Sequence, residues 1–562
     1  MREIDLHVHT NISDGSETPA ETVKYARSLG LRAIAVTDHD SINGVAEAQK
    51  AGKECGVEVV AGMELGCGWY GREVHMLGYD LDIRSKKLPP VLDWIVRDRD
   101  ERNRKMVDML ARDGLLIDLD ELVEHGYLAK KSLDNSDYGA DPSYVDFDIV
   151  NRHKTALLRE AFAGFTDDVG YTSFVIEEQD WLDDYALFMA LKDKFGGRPW
   201  SDWDDDIKLR EPEAVKRWTE ELKDDIKFYK FVQYIFFRQW DRFHRYCNKN
   251  GIQLIGDIPI YVSPDCADVW AQPELFELDE KRVPKRVAGV PPDYFSATGQ
   301  LWGNPLFDWD AMAANGYAWW VRRIRHLCGI YDVLRIDHFR GFAGYYAIPY
   351  GDKTAENGRW RTGPGYALFA AVKKELGSPR IIAEDLGFLT DDVRALLKEC
   401  AYPGMKVLEF AFDSRDGGDY RPHSYPTNCI AYTGTHDNEP VDGWFGTALP
   451  DDIERAIQYL NLTKEEGMNW GMMRGIWSSV ADLAVVQAQD VLGLGHEARM
   501  NTPATLGGNW CWRALPGAFT PELAQKLHDA MELYGRLPEE PAAEPDETEK
   551  SEDAEKAAEP KT

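Results

Sequence analysis

Six side chains early in the sequence have the types and the order of a metal site. In MREIDLHVHTNISDGS, His7 and His9 lie two apart, so in a strand both imidazoles point to one face, and Asp14 follows. TDHD then brings His39 beside Asp38, GMELG brings Glu64, and REVHMLGY brings His75. Imidazole nitrogens and carboxylate oxygens at successive strand ends would hold about two or three divalent ions, with zinc, manganese or magnesium as candidates. Such ions turn water into a nucleophile at neutral pH.

The elements that would position these groups alternate. EIDLHVHT reads as a strand, TPAETVKYARSLG as a helix stopped by Gly30, and AIAVTDHD as a strand. VAEAQKAGKECG is a second helix, VEVVAGMELG and REVHMLGYDLDI are strands, and a long helix is expected through PVLDWIVRDRDERNRKMVDMLARDG. This alternation predicts parallel α/β architecture. From about 145 to 250 the pattern turns helical, and DIKFYKFVQYIFFRQWDRFHRYCNKNG should bury Phe228, Phe231, Phe236 and Trp240 before Gly251 ends it. Short apolar runs capped by polar residues follow: GIQLIGDIPIYV, YDVLRIDHFRG, RIIAEDLG, MKVLEFAF, NCIAYTGTHDN and HEARMNTPA. Runs buried on both faces, separated by helices, are the strands of a (β/α)8-type barrel, whose catalytic groups sit at the C-terminal strand ends.

Composition narrows the partners. At 562 residues, with 44% hydrophobic residues, the chain can bury a sizeable core. No stretch approaches the roughly 18 apolar residues of a membrane span, and the polar start does not resemble a secretory signal. Net charge is −32 with no basic stripe, which argues against nucleic acid. The eight cysteines form no CxxC pair, as expected of reduced thiols in the cytoplasm. After Leu537 the tail EEPAAEPDETEKSEDAEKAAEPKT lacks aromatic and branched aliphatic residues and should be disordered. Heavy Trp and Tyr usage suits stacking on sugar rings as well as ordinary core packing.

The opening motifs, over roughly residues 1–114, resemble the PHP family of metal-dependent phosphoesterases, although the pattern stops after about four strands and the family's later ligands have no counterpart. From Leu115 to about 536, LLIDLDELVEHGYL, DFDIVNRHKTALLREAF, LIGDIPIYVSPDCADVWAQPELFELD, AGVPPDYFSATGQLWGNPLFDWD, VLRIDHFRGF, IIAEDLGFLT, YTGTHDNEP and RMNTPATLGGNWCWR resemble the 4-α-glucanotransferases, or amylomaltases, of the α-amylase clan. That family's first two barrel strands are missing here, and ARDGLLIDLDEL reads as a continuation of either pattern. The resemblance therefore implies a barrel lacking its first strands, with helical insertions, preceded by a partial PHP α/β fragment. An acidic tail follows from residue 537.

Retaining cleavage of an α-1,4 glucosidic bond needs a nucleophilic carboxylate and an acid/base carboxyl about 5–5.5 Å apart. Asp337 ends the strand of RIDHFRG, and Arg335 two residues back should keep it ionised. Glu384 in IIAEDLG is the acid/base candidate, and Asp437 in GTHDN would bind the donor sugar. The resemblance implies substrate contacts from Asp257, Arg335, His338 and His436. It also implies a loop bearing Tyr294, Phe295 and Trp302 that excludes water from the glucosyl-enzyme. Maltooligosaccharides and α-1,4-glucans would be the partners, with no cofactor needed for transfer. Two other readings stay open: a metal-dependent phosphoesterase using the N-terminal residues, and an inactive glucan-binding remnant.

Overall fold

Apolar faces, not propensity alone, set the first layer. Helix Pro19–Ser28 starts at Thr18, whose side chain and that of Glu21 form a reciprocal cap, and the chain turns away at Gly30 with φ +80°. Helix Val45–Cys55 ends the same way at Gly56. Together they bury Val23, Ala26, Val45, Ala48 and Ala51 against Ile34, Val36 and Val57. The sheet beneath runs in the order β1 (Ile4–Val8), β2 (Ala33–Val36), β3 (Glu58–Trp69) and β4 (Arg72–Tyr79). The first three strands are parallel, as the sequence pattern predicts. β4 departs from it, pairing antiparallel with β3 from Gly62↔Tyr79 to Trp69↔Arg72. Only two residues separate these strands, too few for a crossover helix.

The computed structural model describes residues 4–13, 17–39, 41–69, 72–83, 85, 119–134, 141–292, 296–387, 389–415, 420–503, 505 and 507–538. The helix expected before Gly114, the junction at ARDGLLID and the tail from residue 539 lie outside them. The chain divides into two compact units, residues 1–136 with 155–252 and residues 137–154 with 253–562. In the first unit, helix Lys223–Lys249 buries Phe228, Phe231, Tyr234 and Ile235. Phe236 and Trp240, expected in this core, are only half-buried. Phe231 and Tyr234 pack on Phe165. Arg238 and Arg242 of the same helix both reach the buried Glu121 at 2.5 Å. Burial opposes charge on Glu121, but the two guanidiniums outweigh it and hold its carboxyl below the ordinary range.

The second unit contains β5 (Ile255–Ile258), β6 (Arg286–Val290), β7 (Gln300–Pro305), β8 (Val333–Ile336), β9 (Gly344–Pro349), β10 (Arg359–Thr362), β11 (Ile381–Ala383), β12 (Gly404–Val407), β13 (Cys429–Tyr432) and β14 (Leu483–Val485). β6, β7, β9 and β10 form an antiparallel sheet. The others are parallel, as β11-β8-β5 and β12-β13-β14. A backbone bond from Ala383 N to Pro403 O, 2.9 Å, joins the two sets. Among the described residues this is an open arc of six strands, and its edge residues Ile255 and Leu483 are about two-fifths exposed, at 41% and 39%. HEARMNTPA, expected as the last strand, is a 3-10 turn at His496–Ala498 followed by irregular chain. The sixth strand is instead Leu483–Val485, too short and too mixed to stand out by periodicity.

Helix Ala318–Ile330 carries Trp320, which is fully buried and stacks edge-on against Phe342 at 5.1 Å. Trp320→Ala should cost about 3–5 kcal/mol, the loss usual for truncating a fully buried tryptophan. Urea unfolding would show this as a lowered midpoint at unchanged slope; an unmoved midpoint would refute it.

Candidate active site

Strand register brings the two proposed reacting carboxyls together. Ile336 of β8 pairs with Ala383 of β11, so Asp337 and Glu384 each follow a paired residue on strands about 4.8 Å apart. The backbone continues the match: Glu384 N donates to Ile336 O at 3.0 Å, and Phe339 N donates to Glu384 O at 3.0 Å. Glu384 is buried, accepting from His338 N at 2.8 Å on Oε2 and from Leu386 N at 2.6 Å on Oε1. Burial, reinforced by the charge of Asp337, pushes its carboxyl up to about 7 despite Arg335 and these two donors. A carboxyl poised there can give and take a proton at neutral pH.

Arg335 differs from expectation. Its Nη1 donates to both oxygens of Asp257 at 2.7 Å and reaches Asp337 Oδ1 only at 3.2 Å. The guanidinium thus bridges Asp257 on β5 to Asp337 just beyond β8. Burial, together with the charges of Asp257 and Asp437, outweighs Arg335 and raises the Asp337 carboxyl above the usual range, where the sequence predicted a lowered one. Its side chain nevertheless remains 43% exposed.

Asp437 lies beyond the end of β13, in a turn held from far along the chain. Asn501 Nδ2 donates to Asp437 Oδ1 at 2.5 Å, Asn501 N to His436 O at 3.1 Å, and Arg499 Nη2 to Asp437 O at 2.7 Å. His436 Nε2 stands 3.4 Å from Asp437 Oδ2, and its ring packs on Trp510 at 4.9 Å. Asn501, Arg499 and Trp510 escaped sequence reading as site residues. Their signal was the polar composition of RMNTPATLGGNWCWR, which a loop explains better than a strand.

His338 occupies the left-handed region, φ +50°, and burial pushes its imidazole down to about 3, so it is neutral. The Trp302 ring meets it edge-on at 4.8 Å, but this residue, expected in a loop, lies on β7, where pairing with β6 turns the end of that segment into a strand. Tyr294 and Phe295 of the same loop lie outside the described residues.

At the N-terminal sheet, Glu64 is buried and its Oε2 lies 2.6 Å from His7 Nε2, 2.9 Å from His9 Nε2 and 4.0 Å from His39 Nε2. Ligand atoms of His7, His9 and Glu64 all lie within 4.8 Å of one another. Imidazoles converging on one buried carboxylate fit a divalent ion. Asp38 serves otherwise: its carboxylate accepts from Thr10 N at 2.7 Å, Thr10 Oγ1 at 2.8 Å and Ser13 Oγ at 2.9 Å, closing a turn. His75 is placed only by backbone register, opposite Gly66, and Asp14 lies outside the described residues.

Comparisons with known proteins cover both parts of the chain, with matches that overlap over residues 105–195. A family model described as 4-alpha-glucanotransferase matches residues 105–517, and one described as PHP domain matches residues 5–195. A 4-α-glucanotransferase of Clostridium butyricum is 43% identical over 475 residues, covering 84% of this chain and 98% of the relative. Another, from Synechocystis, is 47% identical over 436 residues, 76% of this chain and 86% of its own. The amylomaltase of Streptococcus agalactiae, solved in complex with acarbose, superposes with a TM-score of 0.73 at 38% identity, over 75% of this chain and 86% of that one. The chain therefore belongs to the 4-α-glucanotransferase family, with a PHP-type stretch at its N-terminal side.

Proposed function

We propose that the enzyme transfers segments of α-1,4-glucan by retaining double displacement, with Asp337 as nucleophile and Glu384 as acid/base. Asp337 Oδ attacks the anomeric carbon while Glu384 protonates the departing glycosidic oxygen. Glu384, now a carboxylate, then takes the proton of the acceptor hydroxyl, which displaces Asp337. Asp437 binds the donor sugar's hydroxyls, assisted by His436 and the neutral His338. Arg335 holds Asp257 and Asp337 in place, and Trp302 covers the site. The observation that carries this reading is the adjacent, in-register placement of Asp337 and buried Glu384.

Maltooligosaccharides are the donors and acceptors, and the transfer itself uses no cofactor. We assign residues 1–114 to the PHP-like fragment, 115–536 to the transferase part and 537–562 to an acidic tail. We read the open arc as a barrel without its first strands. Among the described residues no helix is long and apolar enough to cross a membrane, and the described cysteines outside β3 are free, which supports placing the enzyme in the cytoplasm.

A second reading concerns the N-terminal cluster, favoured by its converging ligand atoms. His7, His9, His39 and Glu64 hold a divalent cation, which when bound would supply activated water for phosphoester cleavage.

The purified chain should convert maltotriose into glucose plus longer oligomers. Glu384→Gln should lower the rate about 10²–10⁴-fold, and Asp337→Asn should abolish it. Full activity in either variant would remove these residues from their roles. Because Glu384 must be protonated to start the reaction and titrates at about 7, kcat/KM should fall as pH rises through that value. A profile flat across neutral pH would contradict the assignment. After dialysis against zinc, elemental analysis should find bound metal in the parent chain and much less in Glu64→Ala, with glucan transfer surviving chelation. Equal metal contents would dismiss the second site.

A further inference from the structure

The parallel arc has a seam. β8 and β11 are laddered, as are β12 and β13, but β11 and β12 belong to different sheets. The catalytic groups divide across it, with Asp337 and Glu384 following β8 and β11 and Asp437 following β13. Besides the contact of Arg335 Nε with Met405 Sδ at 3.3 Å, two hydrogen bonds to oxygen link β11 and its following residues to β12. One is the backbone bond from Ala383 N to Pro403 O. The other comes from a side chain, because Met405 N donates to Asp385 Oδ1 at 2.6 Å, with both residues buried.

Asp385 immediately follows Glu384 and precedes Leu386, whose N–H binds Glu384 Oε1. Gly404, before Met405, makes room for the carboxylate. A Cβ there would lie 2.5 Å from Asp385 Oδ2 and 2.7 Å from Oδ1, closer than any side chain tolerates.

We propose that Asp385 is a positioning residue for glucan transfer, its buried carboxylate standing in for the ladder bond missing between β11 and β12 and thereby fixing Glu384 relative to the half of the site that carries Asp437. A charged acceptor on a buried N–H is a strong, directional link. Lys406 and Arg394 favour its ionised form, although burial works against it and raises its carboxyl overall. Without the link, the stretch Glu384–Leu386 keeps its bonds to β8 but loses its side-chain hydrogen bond to β12, leaving the Ala383–Pro403 bond and the packing of Leu386 to hold it there, and the acid/base drifts from the Asp437 subsite. Gly404 is then a steric requirement of the same link. The inference rests on the reading of Glu384 as acid/base.

The test measures kcat and KM on maltotriose for the full chain and five variants, with circular dichroism to confirm folding. Asp385→Ala should lower kcat about 100-fold, the cost of roughly 1 Å of misplacement, with KM little changed. Asp385→Asn, whose amide oxygen still accepts from Met405 N, should recover most of the loss. Gly404→Ala should reproduce the defect with the carboxylate present, and should add nothing in the Asp385→Ala background, because its methyl then has space. Normal kcat in Asp385→Ala, a loss confined to KM, or additive effects of the two alanines would overturn the proposal. Glu384→Gln separates the two levels. If it stays active, the site reading fails; if it is inactive while Asp385→Ala is normal, only the positioning role fails.

Discussion

The guanidinium of Arg335 is the buried cation around which the carboxyls of this site gather. Asp257, Asp337 and Glu384 end neighbouring strands, and Asp437 is near enough for its charge to act on Asp337. Burial raises the cost of ionising Asp337 and Glu384, and the neighbouring negative charges add to it. A guanidinium keeps its charge in such a burial and can serve two carboxylates at once. Arg335 sits on β8, the central strand of its sheet, so the cation lies between the strand of Asp257 and the strand of Glu384. It divides itself unequally: both Asp257 oxygens receive close bonds and Asp337 a longer one. Asp257 is thereby fixed as a permanent counter-ion, and Asp337 keeps an exposed carboxylate able to meet a substrate.

Against that centre, Glu384 and Asp337 differ through environment rather than chemistry. Glu384 is buried and sees the charge of Asp337, so its proton is retained up to about 7. Asp337 has direct contact with the cation and an open face to solvent. Two carboxyls separated in this way can serve as acid and nucleophile of one displacement. The third, Asp437, depends on partners 62 and 64 residues away, since Arg499 and Asn501 hold its main chain and its carboxylate. The site is thus assembled from strand ends on one side and from a long loop on the other.

The N-terminal sheet shows the same principle with different ligands. His7 and His9 share a strand face, and Glu64 arrives from β3 to meet both. Of two adjacent candidates in TDHD, only His39 faces this cluster; Asp38 spends its oxygens on Thr10 and Ser13. An acidic residue at a strand end can cap a turn or bind a ligand, and the donors around it decide which.

By itself the sequence determined the alternation of the first strands and helices, the five parallel strands between Ile255 and Tyr432 and the two family patterns, and it nominated Asp337, Glu384 and Asp437 as candidates, because these are carried by local periodicity and by motifs that stay contiguous. It also placed the converging histidines, since alternation in a strand dictates which side chains share a face. Tertiary structure alone decided the rest. The antiparallel return of β4 and the three-residue strand Leu483–Val485 follow from pairing partners distant in sequence. The half-burial of Phe236 and Trp240 depends on which face of their helix finds a neighbour. That Arg335 would favour Asp257, that burial would raise Asp337, and that Asn501 and Asp385 would hold the site all depend on distances between strand ends. Such distances arise only when the sheets assemble, because charge and hydrogen-bond energies are set by separation and burial, and no local pattern encodes either.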